Sequence, residues 1–409
     1  MNNIEIENKL IEVLDPNGKA YKDASVNLSK IPPQYHENIL NALLADSLSK
    51  ELISQPEFAK GHGYSIWLGD SGTGLTPVMA AQVLIRRTSR TSDPKEAVDW
   101  LNRVLATKEA DGKIILALWG ILVEQPIHFN EELSLIAFSD VTPSHNKKVI
   151  LDSASTYPIG VFQPFPFRSP SAALTAKIHV NPFIQPSELA GLPPQGPLPQ
   201  HEMLELARLS LNCVGTATAI AAASWFQFDD PDIQDAVLFS GISTRIGLKH
   251  DILFIKDSNI EIEEAQKVVR SVLRLSGDVA KRTKISLQRF DRACRHFDLN
   301  DKALDLAIAL ESLLTEDAGE NNFKVGLRAA LLSADNPKEQ IRARYLVNGL
   351  YKIRNKVVHR GYALKEVTIK EKKIPTSEVI NESVKIVAQV IKTIAEKGII
   401  PDWHEYELE

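Results

Sequence analysis

The stretch Tyr351-Lys352-Ile353-Arg354-Asn355-Lys356-Val357-Val358-His359-Arg360-Gly361 brings an always-charged guanidinium and a titratable imidazole within five residues of each other and closes on a glycine. Cations followed by glycine suit the end of a helix: the last carbonyls and the negative end of the dipole attract them, and glycine turns the chain at low cost. A helix is therefore expected over 337–360. Outward from it the 3.6-residue period persists, with helices expected over 201–226, 232–239, 261–296, 301–316, 323–332 and 376–397 and a short β-like run at 248–256. Residues 201–409 read as an all-α helical bundle.

Before this bundle, 181–200 carries Pro182, Pro186, Pro193, Pro194, Pro197 and Pro199, which forbid both a helix interior and a central strand. It reads as a linker. Residues 1–180 mix periods: 33–54 and 94–106 have helical spacing, with Pro94 suited to a first turn. The runs 114–123, 133–138, 148–151, 159–162 and 173–180 are short, rich in Ile, Val and Phe and bounded by turn formers, as strands are. The expected architecture is an α+β N-terminal domain over 1–180, a Pro-rich linker and a helical C-terminal domain.

The 409 residues, 44% hydrophobic and 24% charged, suffice for two cores. A formal net charge of -5 and a pI near 6.1 exclude a generally basic nucleic-acid coat, so any polyanion site is local. Cys213 and Cys294 lie in stretches of helical pattern without metal-site spacing and read as reduced core residues. No apolar run reaches bilayer length and the start lacks a signal-like core; a cytoplasmic protein with no membrane partner is expected.

Between Arg342 and Arg360 stand six cations, Arg342, Arg344, Lys352, Arg354, Lys356 and Arg360, with no acidic residue among them. Arg354 can fork onto two phosphate oxygens at any relevant pH, and His359 can exchange a proton near neutrality. RNA carries its own nucleophile, the 2′-hydroxyl, so this pair can suffice for strand cleavage without a metal. On a continuous helix, residues five apart point about 140° away from each other. Either the helix ends before His359, with Gly361 as its stop, or two copies of the stretch build one site across a dimer, and the two together fit the spacing best. A capped basic helix with no chemistry is the competing reading. The loose pattern of Arg, a few residues, then His also occurs at 245–250 and 289–296, but only Arg354 is followed by Asn and sits in the dense basic run.

Other motifs are weaker. Residues 69–76, Gly-Asp-Ser-Gly-Thr-Gly-Leu-Thr, have the glycines of a phosphate loop, but Leu75 stands where the lysine belongs, and no base accompanies Ser71. A plain turn is the expected outcome. His62, His128, His145, His179 and His201 occur singly, so no metal site is indicated and no cofactor is expected.

Three linked segments resemble HEPN domains of the Apea-like group: Leu304-Asp-Leu-Ala-Ile-Ala-Leu-Glu-Ser-Leu-Leu-Thr315, then Phe323 with Arg328-Ala-Ala-Leu-Leu332, then the opening stretch. The resemblance implies a four-to-five-helix bundle that dimerises and sets an Arg-Asn-x-x-x-His motif from each protomer at the interface. It implies metal-independent endoribonuclease activity leaving a 2′,3′-cyclic phosphate, commonly in toxin or anti-phage defence. On this chain Arg354 would stabilise the scissile phosphate, His359 would act as acid or base, and Asn355 would orient one of them. Lys352, Lys356 and Arg360 are expected phosphate contacts. Tyr351 either stacks on a base or belongs to the core, and Glu311 either holds Arg354 or Lys356 or is a surface glutamate.

The expected function is thus a homodimer, or higher even-numbered oligomer, that cuts RNA, with the N-terminal domain binding a trigger or target. The alternative is a catalytically silent HEPN dimer that binds RNA, a nucleotide or a protein.

Overall fold

The computed structural model describes residues 2–28, 31, 36–61, 63–68, 72–155, 169–181, 183–187, 198–237, 256–315, 322–362 and 365–407. Its helices and strands run α1 (Asn3–Leu14), α2 (Lys19–Leu28), α3 (His36–Ser54), β1 (Tyr64–Trp67), β2 (Gly72–Leu75), α4 (Pro77–Thr91), α5 (Pro94–Ala106), β3 (Ala110–Trp119), β4 (Ile121–Leu122), β5 (Ile127–His128), β6 (Leu133–Ala137), α6 (His145–Ser155), β7 (Ala172–Val180) and β8 (Ile184–Pro186). They continue as α7 (Pro199–Leu211), β9 (Ile220–Phe228), α8 (Pro231–Ala236), β10 (Ser258–Asn259), α9 (Ile262–Leu273), α10 (Gly277–Arg295), α11 (Leu299–Leu314), α12 (Asn322–Ser333), α13 (Pro337–Arg360), β11 (Glu366–Ile369), β12 (Lys372–Pro375), α14 (Thr376–Lys397) and α15 (Trp403–Tyr406). The N-terminal part mixes helices with small sheets; the C-terminal part is mostly helical. Among the described residues no helix is long and apolar enough to cross a membrane.

The chain forms two compact units that divide differently from the expected split at 181–200. One comprises Met1–Ile114, Lys177–Gln200 and Trp225–Ile242; the other comprises Ile115–Ala176, His201–Ser224 and Ser243–Glu409. Strand pairing is the physical reason, because it joins segments far apart in sequence whatever lies between them. Of the expected linker, 182 and 188–197 lie outside the described residues.

In the first unit α1, α3, α4 and α5 pack together beside the antiparallel sheet β2-β1-β8. Side-chain caps start two of its helices, α4, which the periodicity does not mark, and α5. Thr76 Oγ1 accepts the Met79 N–H at 3.3 Å ahead of Pro77, and Asp93 Oδ1 accepts the Glu96 N–H at 3.1 Å ahead of Pro94. Arg87 lies 5.2 Å from the Trp100 ring centre and donates to Glu96, Asp232 and Asp235 at 2.7–2.9 Å.

The second unit holds β5, β6, residues 115–119 of β3, 172–176 of β7 and 220–224 of β9, together with the helices α9–α14; the strand order of this sheet is β5-β6-β7-β3-β9. In the helical part α10 lies against α11 and α14, and α13 against α11, α12 and α14. Leu287, Phe290, Leu310, Val347, Leu350 and Ile391 have no exposed surface there. Each such side chain contributes roughly 1.5–3 kcal/mol by leaving water. Gly349 lets α13 approach its neighbours: a Cβ there would lie 2.7 Å from Ile369 Cδ1 on β11 and 3.3 Å from Val379 Cγ1 on α14.

Several local expectations are corrected. Residues 148–151 are helical within α6, which Ser144 starts by accepting the Lys147 N–H on its hydroxyl at 3.2 Å; four apolar residues are too short to reveal their period. The expected helix over 201–226 is α7 followed by β9, because Gly215 in the left-handed region (φ 57°) turns the chain and the Ala-rich apolar run 220–228 is buried as a strand. The span 261–296 is two helices, broken between Leu273 and Gly277. Cys213 follows the end of α7 and is buried, while Cys294 is half-buried on α10; both are free. The expected strand at 159–162 and all of the β-like run except Lys256 lie outside the described residues.

Candidate active site

The opening stretch occupies the last three turns of α13. Asn336 starts this helix by accepting the Glu339 N–H on Oδ1 at 3.0 Å, with Pro337 in the first turn. Gly361 ends it in the left-handed region (φ 77°), its N–H reaching Val357 O at 2.8 Å. The helix runs through His359 to Arg360, as the period over 337–360 predicts; of the two arrangements the spacing allows, the one in which the helix ends before the histidine is corrected, because the left-handed turn falls on Gly361.

Arg354 is half-buried. Its Nη1 donates to Asn355 Oδ1 at 3.2 Å, and its Nη2 lies 3.8 Å from Glu311 Oε1 on α11. Tyr351, one turn earlier, is 1% exposed and belongs to the core. Burial, reinforced by the Glu311 carboxylate, drives its pKa far above the ordinary tyrosine value, so it stays a neutral phenol. Its hydroxyl has no hydrogen-bond partner of good geometry among the described residues.

His359 and Arg360 are exposed, and Lys356 is half-buried. Lys352 Nζ donates to Thr368 O on β11 at 3.1 Å. With α13 continuous, Arg354 faces α11 while His359 points about 140° away, near the line of Lys352. Asn355 and Glu311 are thus brought to Arg354; His359 of the same chain is not.

The other singled-out motifs have structural roles. In 69–76, Gly72–Leu75 is β2, paired with β1 from Trp67↔Gly72 to Tyr64↔Leu75, and Thr76 caps α4; 69–71 lie outside the described residues. His128 Nδ1 meets Ser134 Oγ at 2.7 Å, and His179 Nδ1 lies 2.9 Å from Asp111 Oδ1. Among the described residues no group of three or more His, Cys, Asp or Glu side chains is disposed to hold a metal.

A second cluster lies on the 289–296 run, where the loose arginine-to-histidine pattern alone does not reveal it. On α10, Arg289, Arg292 and Arg295 recur every three residues, and with His296 they line a cleft of about 600 Å³ whose other wall is α11, through Asp301, Leu304, Asp305 and Ile308. The available signal was this spacing on one helical face together with Asp301 and Asp305 at four-residue spacing on the next helix. No family model matches the chain, and no curated protein or solved structure matches it.

Proposed function

We propose that the chain is a metal-independent endoribonuclease of HEPN type, with Arg354, Asn355 and His359 as its site and two protomers completing it. The observation that carries this reading is the division of labour along α13: Arg354 is anchored by Glu311 and Asn355, while His359 stands exposed on another face of the same helix. A single scissile phosphate meets both only when Arg354 comes from one copy and His359 from the other.

In that site the RNA 2′-oxygen attacks the adjacent phosphorus as the bond to the 5′-oxygen breaks. The 2′-hydroxyl proton leaves to a base and the departing 5′-oxygen takes one up, giving a 2′,3′-cyclic phosphate and a 5′-hydroxyl. His359 serves one of these proton transfers, and the Arg354 guanidinium stabilises the charge developing on the phosphoryl oxygens. Lys352, Lys356 and Arg360 add phosphate contacts, with no acidic side chain in the helix between Arg342 and Arg360 to oppose them. The N-terminal part binds a trigger or target, and the biological setting is a cytoplasmic toxin or defence effector.

The test is cleavage of RNA in excess EDTA, with cyclic-phosphate ends and loss of activity in Arg354→Ala and His359→Ala proteins that remain folded. Cleavage surviving both substitutions rejects the reading. The 140° separation on one helix also favours a second reading, a silent dimer that binds RNA, a nucleotide or a protein. Salt-sensitive RNA binding with no cyclic-phosphate product selects its RNA-binding form.

A further inference from the structure

The cleft between α10 and α11 shares no residue with the α13 motif. Three guanidiniums reach it, and two of them are fixed in place by carboxylates. Arg289 Nη1 donates to Asp305 Oδ1 at 3.1 Å, and Arg295 Nη2 donates to the buried Asp291 at 2.7 Å. Asp291 is itself held by Arg208 Nη1 at 2.8 Å and by Asn212 Nδ2 at 3.0 Å, so Arg295 is oriented from behind by a buried network. The side chains of Arg289 and Arg295 are still 36% exposed. Arg292, between them on the same face, is exposed and forms no ion pair among the described residues.

The opposite wall has a different chemistry. Leu304 and Ile308 are half-buried apolar surface, and Asp301 is an exposed carboxylate 3.9 Å from His296 Nδ1. His296 Nε2 lies 3.3 Å from Asp305 Oδ2, which fixes the ring between the two acids.

We propose that this cleft binds a nucleoside monophosphate, with the phosphate on Arg292 and its two arginine neighbours and the base against Leu304 and Ile308. Guanidiniums set at one helical face suit the forked recognition of a phosphate. Among the lining residues three guanidiniums face two carboxylates, Asp301 and Asp305, while Asp291 behind Arg295 is itself paired with Arg208; the small positive excess at the cleft surface is matched to one phosphate better than to a polyphosphate. The apolar wall would gain nothing from inorganic phosphate, whereas a base buries it; Asp301 accepts from a sugar hydroxyl or an exocyclic amine. A cleft of about 600 Å³ lies in the range that encloses a small organic ligand.

The test is calorimetry on the full chain with AMP, GMP, CMP and UMP in turn, with the matching nucleosides and inorganic phosphate as comparators. At least one monophosphate should bind with sub-millimolar affinity, about tenfold or more tighter than its nucleoside or free phosphate. Arg292→Gln should weaken it about tenfold with the melting temperature unchanged, because no protein partner is lost. Ile308→Gln should weaken the monophosphate while leaving the weak response to inorganic phosphate as it was. Binding should persist in Arg354→Ala protein. No binding by any of the four, binding unaffected by Arg292→Gln, equal binding of inorganic phosphate, or loss in Arg354→Ala protein would each overturn the assignment.

Discussion

Of the three runs of this chain that begin on arginine and end on histidine, two lie among the described residues, 289–296 on α10 and its C-cap and 354–359 on α13, and they meet opposite surroundings. On α10 the cations other than Arg292 answer to carboxylates: Arg289 and His296 to Asp305, and Arg295 to a buried Asp291 that also holds Arg208. Within 354–359 on α13, Arg354 lies 3.8 Å from Glu311, and His359 stands at the surface of a stretch with no acidic residue of its own. The same loose pattern is structural framework in one place and an open, cationic surface in the other. What separates them is the charge on the helices alongside, a property of the fold that the pattern cannot carry.

The comparison predicts that the two copies break in opposite ways. The largest effect is expected from His359→Ala, which should lower RNA cleavage by about 10²–10⁴-fold, the usual contribution of a proton-transfer group, without moving the melting temperature. Asp291→Asn should do the reverse and cost about 3 kcal/mol in chemical denaturation, since it strips a buried ion pair of one charge. Burial alone would raise the Asp291 pKa, but Arg208 and Arg295 outweigh it and hold the carboxyl below its ordinary value. A depressed carboxylate pKa adds stability that is full above the unfolded value, about 3.9, and is lost as pH falls through the folded one. The gap between wild type and Asp291→Asn should therefore narrow in denaturation curves taken below about pH 4. If His359→Ala unfolds the protein instead, the contrast between the copies fails.

Smaller effects sharpen the picture. Glu311→Gln removes the charge beside Arg354 and should slow single-turnover cleavage by about tenfold through looser positioning, with little change in RNA affinity. Gly361→Ala leaves the added Cβ in open space, so only the left-handed backbone is strained; a loss of about 1 kcal/mol in thermal unfolding is expected.

Much of the helical framework was legible because its ends are marked. Pro94 in a first turn and Gly361 as a stop mark α5 and α13, and the bounds of α5, α13 and α14 match the expected ones. The strand β9 was not legible, since an unbroken apolar run has no period until the sheet that buries it is known. The same holds for the division into units, which depends on β3, β7 and β9 pairing across long separations. At the candidate site the sequence names Glu311 as a partner for Arg354 or Lys356, and 3.8 Å separates it from Arg354. For Tyr351 the sequence allows both base stacking and the core, and its burial is set by α13 packing that no local signal reports. The cleft on α10 is not legible in the sequence because it exists only where the faces of α10 and α11 converge.

The central claim is that one RNA phosphate is served by Arg354 of one protomer and His359 of another. Arg354→Ala and His359→Ala chains, co-expressed with different tags and purified as the mixed dimer, carry one intact and one doubly defective composite site. Such a dimer should cleave RNA in EDTA at about half the wild-type rate, although each variant alone is inactive. A mixed dimer as inactive as its parents would contradict the account.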